Sequence, residues 1–251
     1  MPRANRYLLP GHVVHLTHRC HNREFFFRFQ RDRRAYRWWL WEAVRRHRIS
    51  LLAYCLTSNH VHWLVQVQEP QQLSRCVDLL HGSVAQQFIR RKRRSGAFWA
   101  GRFHITLVES GEYLWRCLLY LDLNMVRAGV VRHPADWPWC SFAEWRSGRT
   151  RHQIFDRVAL LRLLGGVGWP DLLQHQEHCI QQQLEQRRLE RCPLWTESVA
   201  VGSEPFVRSV AQEVSGRQRW QIQPSADSDP NQPWFVRERT IPYKTRLENE
   251  L

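Results

Sequence analysis

Apolar and polar positions alternate along residues 12–19, so this stretch reads as a strand. His12, Val14, Leu16 and His18 share one face, and Val13, His15, Thr17 and Arg19 share the other. Histidines on both faces fit either a polar-faced strand beside a functional site or a sheet edge. Residues 31–48 switch to helical spacing, with Tyr36, Trp39, Leu40, Ala43, Val44 and His47 in one stripe and the arginines mostly outside it. Trp38 and Trp41 lie off the centre of that stripe and are expected to flank the core. Residues 49–56 are continuously apolar, as in a strand buried on both faces. After the turn residues Thr57, Ser58 and Asn59, a strand over about 60–68 places His60 and His62 on one face and Val61 and Trp63 on the other. So short a connection makes the two strands an antiparallel hairpin.

Pro70 opens a second helix that runs to about Arg94, with Leu73, Val77, Leu80, Val84 and Phe88 as its apolar stripe. A loop over 95–101 precedes a fourth alternating strand over 102–108. Ser110 is the expected N-cap of a third helix that reaches Arg127 and stops at Gly129. The order β-α-β-β-α-β-α is that of an α+β fold, the ferredoxin-like split βαβ with an antiparallel sheet and helices on one face, plus one helix. A Pro- and Trp-rich segment over 133–145 closes a first domain, residues 1–150. Residues 151–251 form a C-terminal extension, mostly helical, with helices over 156–164, 171–190 and 204–214 and a loosely ordered tail from 221.

Charge sharpens this division. Of a net +14, the whole excess lies in residues 1–150, which hold 24 Lys/Arg against 10 Asp/Glu, whereas the remainder is neutral. That footprint belongs to a polyanion binder. The run Arg90, Arg91, Lys92, Arg93 and Arg94 exceeds what a helix C-terminus needs to complement its dipole, and with Arg102 it supplies candidate phosphate contacts. The seven cysteines are odd in number and scattered, without CxxC spacing. A disulfide framework and a zinc ribbon are therefore poorly supported, and a reducing cytoplasm is the expected compartment. No stretch reaches membrane-spanning length, no phosphate-binding glycine loop points to a nucleotide cofactor, and a monomer or homodimer is expected.

Alternate residues of a strand are roughly 6–7 Å apart, so His60 and His62 can share a divalent ion, although the pair alone also fits an ordinary polar face. Tyr120 and Asn124, four apart on the third helix, share a face displaced by roughly 6 Å along the axis. If that helix packs on the histidine face, two imidazoles, an amide oxygen and a phenol meet. Such a set suits Mg²⁺ or Mn²⁺ and a tyrosine nucleophile acting on a phosphodiester. Tyr113, seven residues earlier near the same face, competes on geometry, but its i+4 neighbour is Cys117.

Ala53 through Val65, then Gly101-Arg102-Phe103, then Leu119 through Val131 resemble, in order, signature stretches of the single-tyrosine HUH transposases. Pro2-Arg3, Gly11, His15-Leu16-Thr17 and Arg19 are similar to the opening of that family, and Trp137 through Phe142 to a later aromatic segment. The layout resembles the REP-associated tyrosine transposase subgroup over about residues 2–147. The resemblance implies that residues 1–150 are an HUH catalytic domain, with His60 and His62 as metal ligands and Asn124 at the third-ligand position. It implies that Tyr120 is the nucleophile, forming a 5′-phosphotyrosine beside hairpins in single-stranded DNA. Ser58, Ala100 and Met125 depart from the usual family residues. The alternatives are a domesticated DNA-binding protein with little turnover, and an HUH replication initiator or relaxase.

Overall fold

A computed structural model describes residues 7–148, 154–187, 189–214, 220–225 and 232–238. Its central strands are β1 (Val13–Arg19), β2 (Ser50–Leu56), β3 (His60–Gln66) and β4 (His104–Val108). They lie in the order β2-β3-β1-β4, and each neighbouring pair is antiparallel. Helix α1 (Gln30–Arg46) joins β1 to β2, and α2 (Pro70–Lys92) joins β3 to β4. This is the ferredoxin-like order expected from the sequence. β1 is central, flanked by β3 and β4, which excludes the sheet-edge reading of its histidines.

Register assigns the faces. Thr17 lies opposite His62 and Arg19 opposite His60, while His15 faces Leu64 on β3 and Thr106 on β4. Directly opposed residues share a face. His15, Thr17, Arg19, His60, His62, His104 and Thr106 therefore line one side of the sheet, and Val14, Leu16, His18, Val61 and Trp63 the other. The two long helices cover the second side. The Trp63 indole N–H donates to the Tyr36 hydroxyl of α1 at 3.0 Å, and the Trp63 ring lies 5.6 Å from that of His81 on α2. Both are fully or almost fully buried, so the indole brings its large apolar area into the core with its polar atom satisfied.

The first side is covered by α3 (Glu112–Asp122) and α4 (Asn124–Arg127). The expected single helix breaks at Leu123 (φ −73°, ψ 2°), yet Leu123 N–H still bonds to the Leu119 carbonyl and Arg127 N–H to that of Leu123. Gly111, not Ser110, precedes the helix. It adopts φ +71°, open to glycine, while its N–H donates to Leu163 at 2.9 Å. β4 begins at His104, two residues later than alternation suggests. Gly101 turns at φ +69°, and its carbonyl accepts from the His18 ring at 3.1 Å, which holds Arg102 and Phe103 in the turn. Trp38 is 54% exposed rather than flanking core. Its neighbour Trp39 takes the inward place, its indole donating to Gln87 of α2 at 3.2 Å. Trp41 is partly buried against the core, as expected.

The outer edge of β2 is covered by the Pro- and Trp-rich segment. Leu56 N–H donates to Trp139, the Trp137 indole donates to the Leu56 carbonyl, and α5 (Ser141–Ser147) follows. An edge so covered cannot pair with another chain.

The extension contains α6 (Arg157–Leu163), α7 (Trp169–Glu185), α8 (Leu194–Glu197) and α9 (Glu204–Glu213), much as the sequence predicts. Part of the expected loose tail is ordered. β5 (Ala200–Gly202), β6 (Trp220–Pro224) and β7 (Trp234–Glu238) continue the sheet as β4-β5-β7-β6. Trp234, Phe235 and Val236 are strong strand formers, and β5 gives them a parallel neighbour of β4 to pair with. The remainder of the expected tail, 226–231 and 239–251, lies outside the described residues.

Candidate active site

His60 and His62 extend from β3 with ring centroids 4.7 Å apart. Helix α3 brings the Tyr120 ring to 6.1 Å from the His62 ring, edge to face. Just past the helix break, the Asn124 side-chain amide lies 2.9 Å from His62 Nε2. The four residues singled out in the sequence therefore converge on one side of the sheet.

Hydrogen bonds fix which imidazole nitrogen carries the proton. The Asn59 side-chain N–H donates to the Arg23 carbonyl at 3.0 Å, so its Oδ1 faces His60 Nδ1 at 2.7 Å and accepts from it, with the Thr57 hydroxyl 2.9 Å from the same nitrogen. His60 thus holds its proton on Nδ1 and keeps the Nε2 lone pair. Burial, foremost, and the nearby Arg19 lower the pKa of His60 to about 3. Burial also pushes His62 well below its ordinary value, with the His60 and His15 rings adding to the effect. Both rings are therefore neutral at pH 7.

Two neutral imidazoles and an amide suit a divalent ion that also keeps water ligands. Among the described residues no cluster of three or more His, Cys, Asp or Glu side chains is placed to hold a metal. An ion here would draw on His60, His62 and the amide oxygen of Asn124. The residues fit that role because each presents a lone pair without losing a proton. The Asn124 amide N–H now faces His62, and a half-turn of the amide presents oxygen instead.

Tyr120 is 9% exposed, and burial raises its pKa while the Arg127 charge opposes the rise. The Arg127 guanidinium sits 4.2 Å from the centroid of the phenol ring. At neutral pH the phenol is protonated and lies beside a cation that stabilises developing negative charge. Tyr113, by contrast, stands two turns earlier on α3 with Arg116 over its ring, and its partner Cys117 is a wholly buried thiol with a raised pKa.

The basic candidates separate. Arg90, Lys92, Arg93 and Arg102 are exposed. Arg91 is committed to an ion pair with the buried Asp32, and Arg94 lies 4.4 Å from the Phe26 ring and 3.7 Å from a Glu24 oxygen. Cys20 pairs with Trp99, and Ala100 N–H donates to the Arg19 carbonyl. Arg102 therefore stands at the His60 end of β1.

Three contributors had no role from sequence alone. His15 Nε2 lies 2.9 Å from His62 Nδ1, and His15 Nδ1 lies 2.7 Å from the Trp195 carbonyl. The Trp195 ring is 6.4 Å from that of Tyr120. Strand alternation already put His15 on the face of Thr17 and Arg19, but which face met the β3 histidines depended on register. Arg127 stood within the resembling stretch without a function, and Trp195 lies far along the chain.

Residues 9–116 match the family model described as "Transposase IS200 like". The match spans somewhat under half of the chain and includes His60 and His62, whereas Tyr120 and Asn124 lie beyond its end. No curated protein matches the chain. One similar solved structure is a REP-associated tyrosine transposase bound to a REP hairpin. It is 18% identical, with a TM-score of 0.48, covering 63% of this chain and 96% of that one. Another is a candidate transposase from Deinococcus radiodurans R1, 14% identical with a TM-score of 0.33, covering 47% of this chain and 92% of that one. Among the described residues no helix is long and apolar enough to cross a membrane.

Proposed function

We propose that this chain, whose residues 9–116 match the model of the IS200-like transposases, is a DNA transposase that nicks and rejoins single-stranded DNA near hairpins through a 5′-phosphotyrosine. The convergence of Tyr120, Asn124, His60 and His62 on one sheet face carries this reading. The phenol oxygen of Tyr120 attacks phosphorus, forming a Tyr–O–P bond as the bond to the 3′ oxygen breaks. The phenol proton is lost to solvent, and the departing oxygen gains one to become a 3′-hydroxyl. Arg127, over the phenol ring, favours the phenolate during attack. Attack by a 3′-hydroxyl reverses the step and rejoins a strand. His60, His62 and Asn124 would hold a Mg²⁺ or Mn²⁺ ion, which when bound supplies charge stabilisation at the phosphate oxygens. Arg90, Lys92, Arg93 and Arg102 contact the phosphate backbone, with Arg91 and Arg94 contributing charge from partly buried positions. Residues 1–150 act as the catalytic domain and 151–251 as the extension.

The test is a denaturing gel of labelled hairpin DNA with a single-stranded flank and Mn²⁺. Wild type and Tyr113→Phe should give a covalent adduct. Tyr120→Phe should give none while retaining DNA binding. An adduct that persists in Tyr120→Phe and is lost in Tyr113→Phe would reassign the nucleophile. Binding without an adduct in any variant would favour the domesticated DNA-binding reading.

A further inference from the structure

We propose that His15 is a positioning residue which, anchored on a backbone carbonyl of the C-terminal extension, locks the His62 imidazole in the tautomer that offers Nε2 outward. The direction of every proton in this relay follows from its last member. The Trp195 carbonyl can only accept, so His15 Nδ1, 2.7 Å away, donates to it. A neutral imidazole carries one N–H, so His15 Nε2 holds a lone pair and must accept from His62 Nδ1 at 2.9 Å. His62 then has its lone pair on Nε2, facing Asn124. His15 is wholly buried, where an uncharged ring is favoured over an imidazolium. The two rings are nearly parallel, with an interplanar angle of 12°.

The anchor is itself fixed to the sheet. The Thr106 hydroxyl lies 3.2 Å from the Trp195 carbonyl and 2.8 Å from that of Ser198, and the His104 ring is 3.1 Å from the latter. Helix α8 thus sits on β4 and β1 with Trp195 over the site. This gives the extension a task at the active site that net charge and helix content do not reveal. His60 needs no such device, because Thr57 and Asn59 serve it from its own turn. Outer hydrogen bonds of this kind orient a ligating imidazole, and their loss typically weakens metal affinity by about 10- to 100-fold.

The inference rests on the metal-site reading only in its consequence. The tautomer itself is measurable in the ion-free, full-length protein by nitrogen-15 NMR of the histidine rings, with His62 assigned by the His62→Ala spectrum. Wild type should show His62 protonated at Nδ1. His15→Phe should release His62 towards the Nε2–H form and weaken Mn²⁺ binding by about 10- to 100-fold. His15→Gln, which offers an oxygen to His62 and an N–H to Trp195, should restore both. Thr106→Val removes the other donor to that carbonyl without touching His62, and should leave the tautomer as in wild type. An Nε2–H form in wild type, an unchanged tautomer in His15→Phe, or a Thr106→Val spectrum like that of His15→Phe would overturn the proposal. An Nδ1–H tautomer in a wild type that binds no Mn²⁺ would support the relay and refute the metal site instead.

Discussion

β1 carries a buried histidine cluster on each face, and the two clusters differ in where their hydrogen bonds end. On the helix side, Trp63 donates to Tyr36, whose hydroxyl lies 3.5 Å from His81 Nε2. His81 Nδ1 lies 2.8 Å from His18 Nδ1, and His18 Nε2 reaches the Gly101 carbonyl at 3.1 Å. That chain begins on a donor and ends on an acceptor, so both ring nitrogens of both histidines are engaged within the fold. Trp99 stacks on His18 at 4.4 Å and seals the cluster. On the other side the chain from Trp195 through His15 ends at the Nε2 lone pair of His62. Among the described residues its hydrogen-bond neighbour there is a rotatable amide rather than a backbone carbonyl. Each face holds a directly hydrogen-bonded pair of buried histidines, His15 and His62 on one and His18 and His81 on the other. The number of fixed acceptors separates a closed structural network from the proposed cation site.

The comparison can be tested from either side. The largest effect is expected on the open side, where His62→Ala should reduce ion-dependent cleavage of single-stranded DNA by about 10³-fold or more, read as initial rate on labelled DNA. On the closed side, His81→Ala removes the ring that meets the Tyr36 hydroxyl at 3.5 Å and His18 Nδ1 at 2.8 Å, and should cost about 2 kcal/mol or more of unfolding free energy. Mn²⁺ affinity should hardly change in that variant. Denaturant melts alongside a Mn²⁺ titration would measure both, and a large loss of Mn²⁺ affinity would show that the two faces are not independent.

Cations repeat the contrast on a smaller scale. Lys92 is exposed, whereas Arg91 is tied to Asp32. Lys92→Ala should lower the slope of log binding constant against log salt by about 1, while leaving the melting temperature nearly unchanged. Arg91→Ala leaves the buried Asp32 carboxylate unpaired and should mainly destabilise. Equal salt slopes in Lys92→Ala and wild type would remove Lys92 from the DNA surface.

The smallest effect is a pH dependence. His15 and His60 have ordinary values near 6.5, lowered in the fold to about 4 and about 3. Below about pH 6.5 the unfolded chain binds protons that the native state refuses, so their contribution is full above that pH and declines as pH falls towards 4. Buried Asp122 acts in the opposite sense, its pKa raised by burial from 3.8 to about 7. Its contribution is full below pH 3.8 and is lost as pH rises through 7. Asp122→Asn should therefore flatten stability between pH 5 and 8, a change readable from melts across that range. A steeper decline with rising pH in Asp122→Asn would contradict the assignment.

The four central strands and both long helices were legible in the sequence, β2 from an unbroken apolar run and the others from their periodicity. The positions of Gly111 and Arg102 were not, since a contact from Leu163 and one from His18 decide where those elements begin. Tyr120, Asn124, His60 and His62 were legible as two pairs at short spacing, and packing of α3 on β3 unites them. His15 and Trp195 are 180 positions apart, and only a sheet extended by β5 and roofed by α8 joins them. Thirty-one residues from Gln221 onward read as polar, yet Trp234, Phe235 and Val236 pair into that same sheet.

The most direct test is to map the residue that carries DNA. Wild-type protein is incubated with hairpin DNA and Mn²⁺, then digested and sequenced by mass spectrometry. A nucleotide mass on the Tyr120 phenol is the expected result. The same mass on Tyr113, or on no tyrosine despite cleavage of the DNA, would contradict the account.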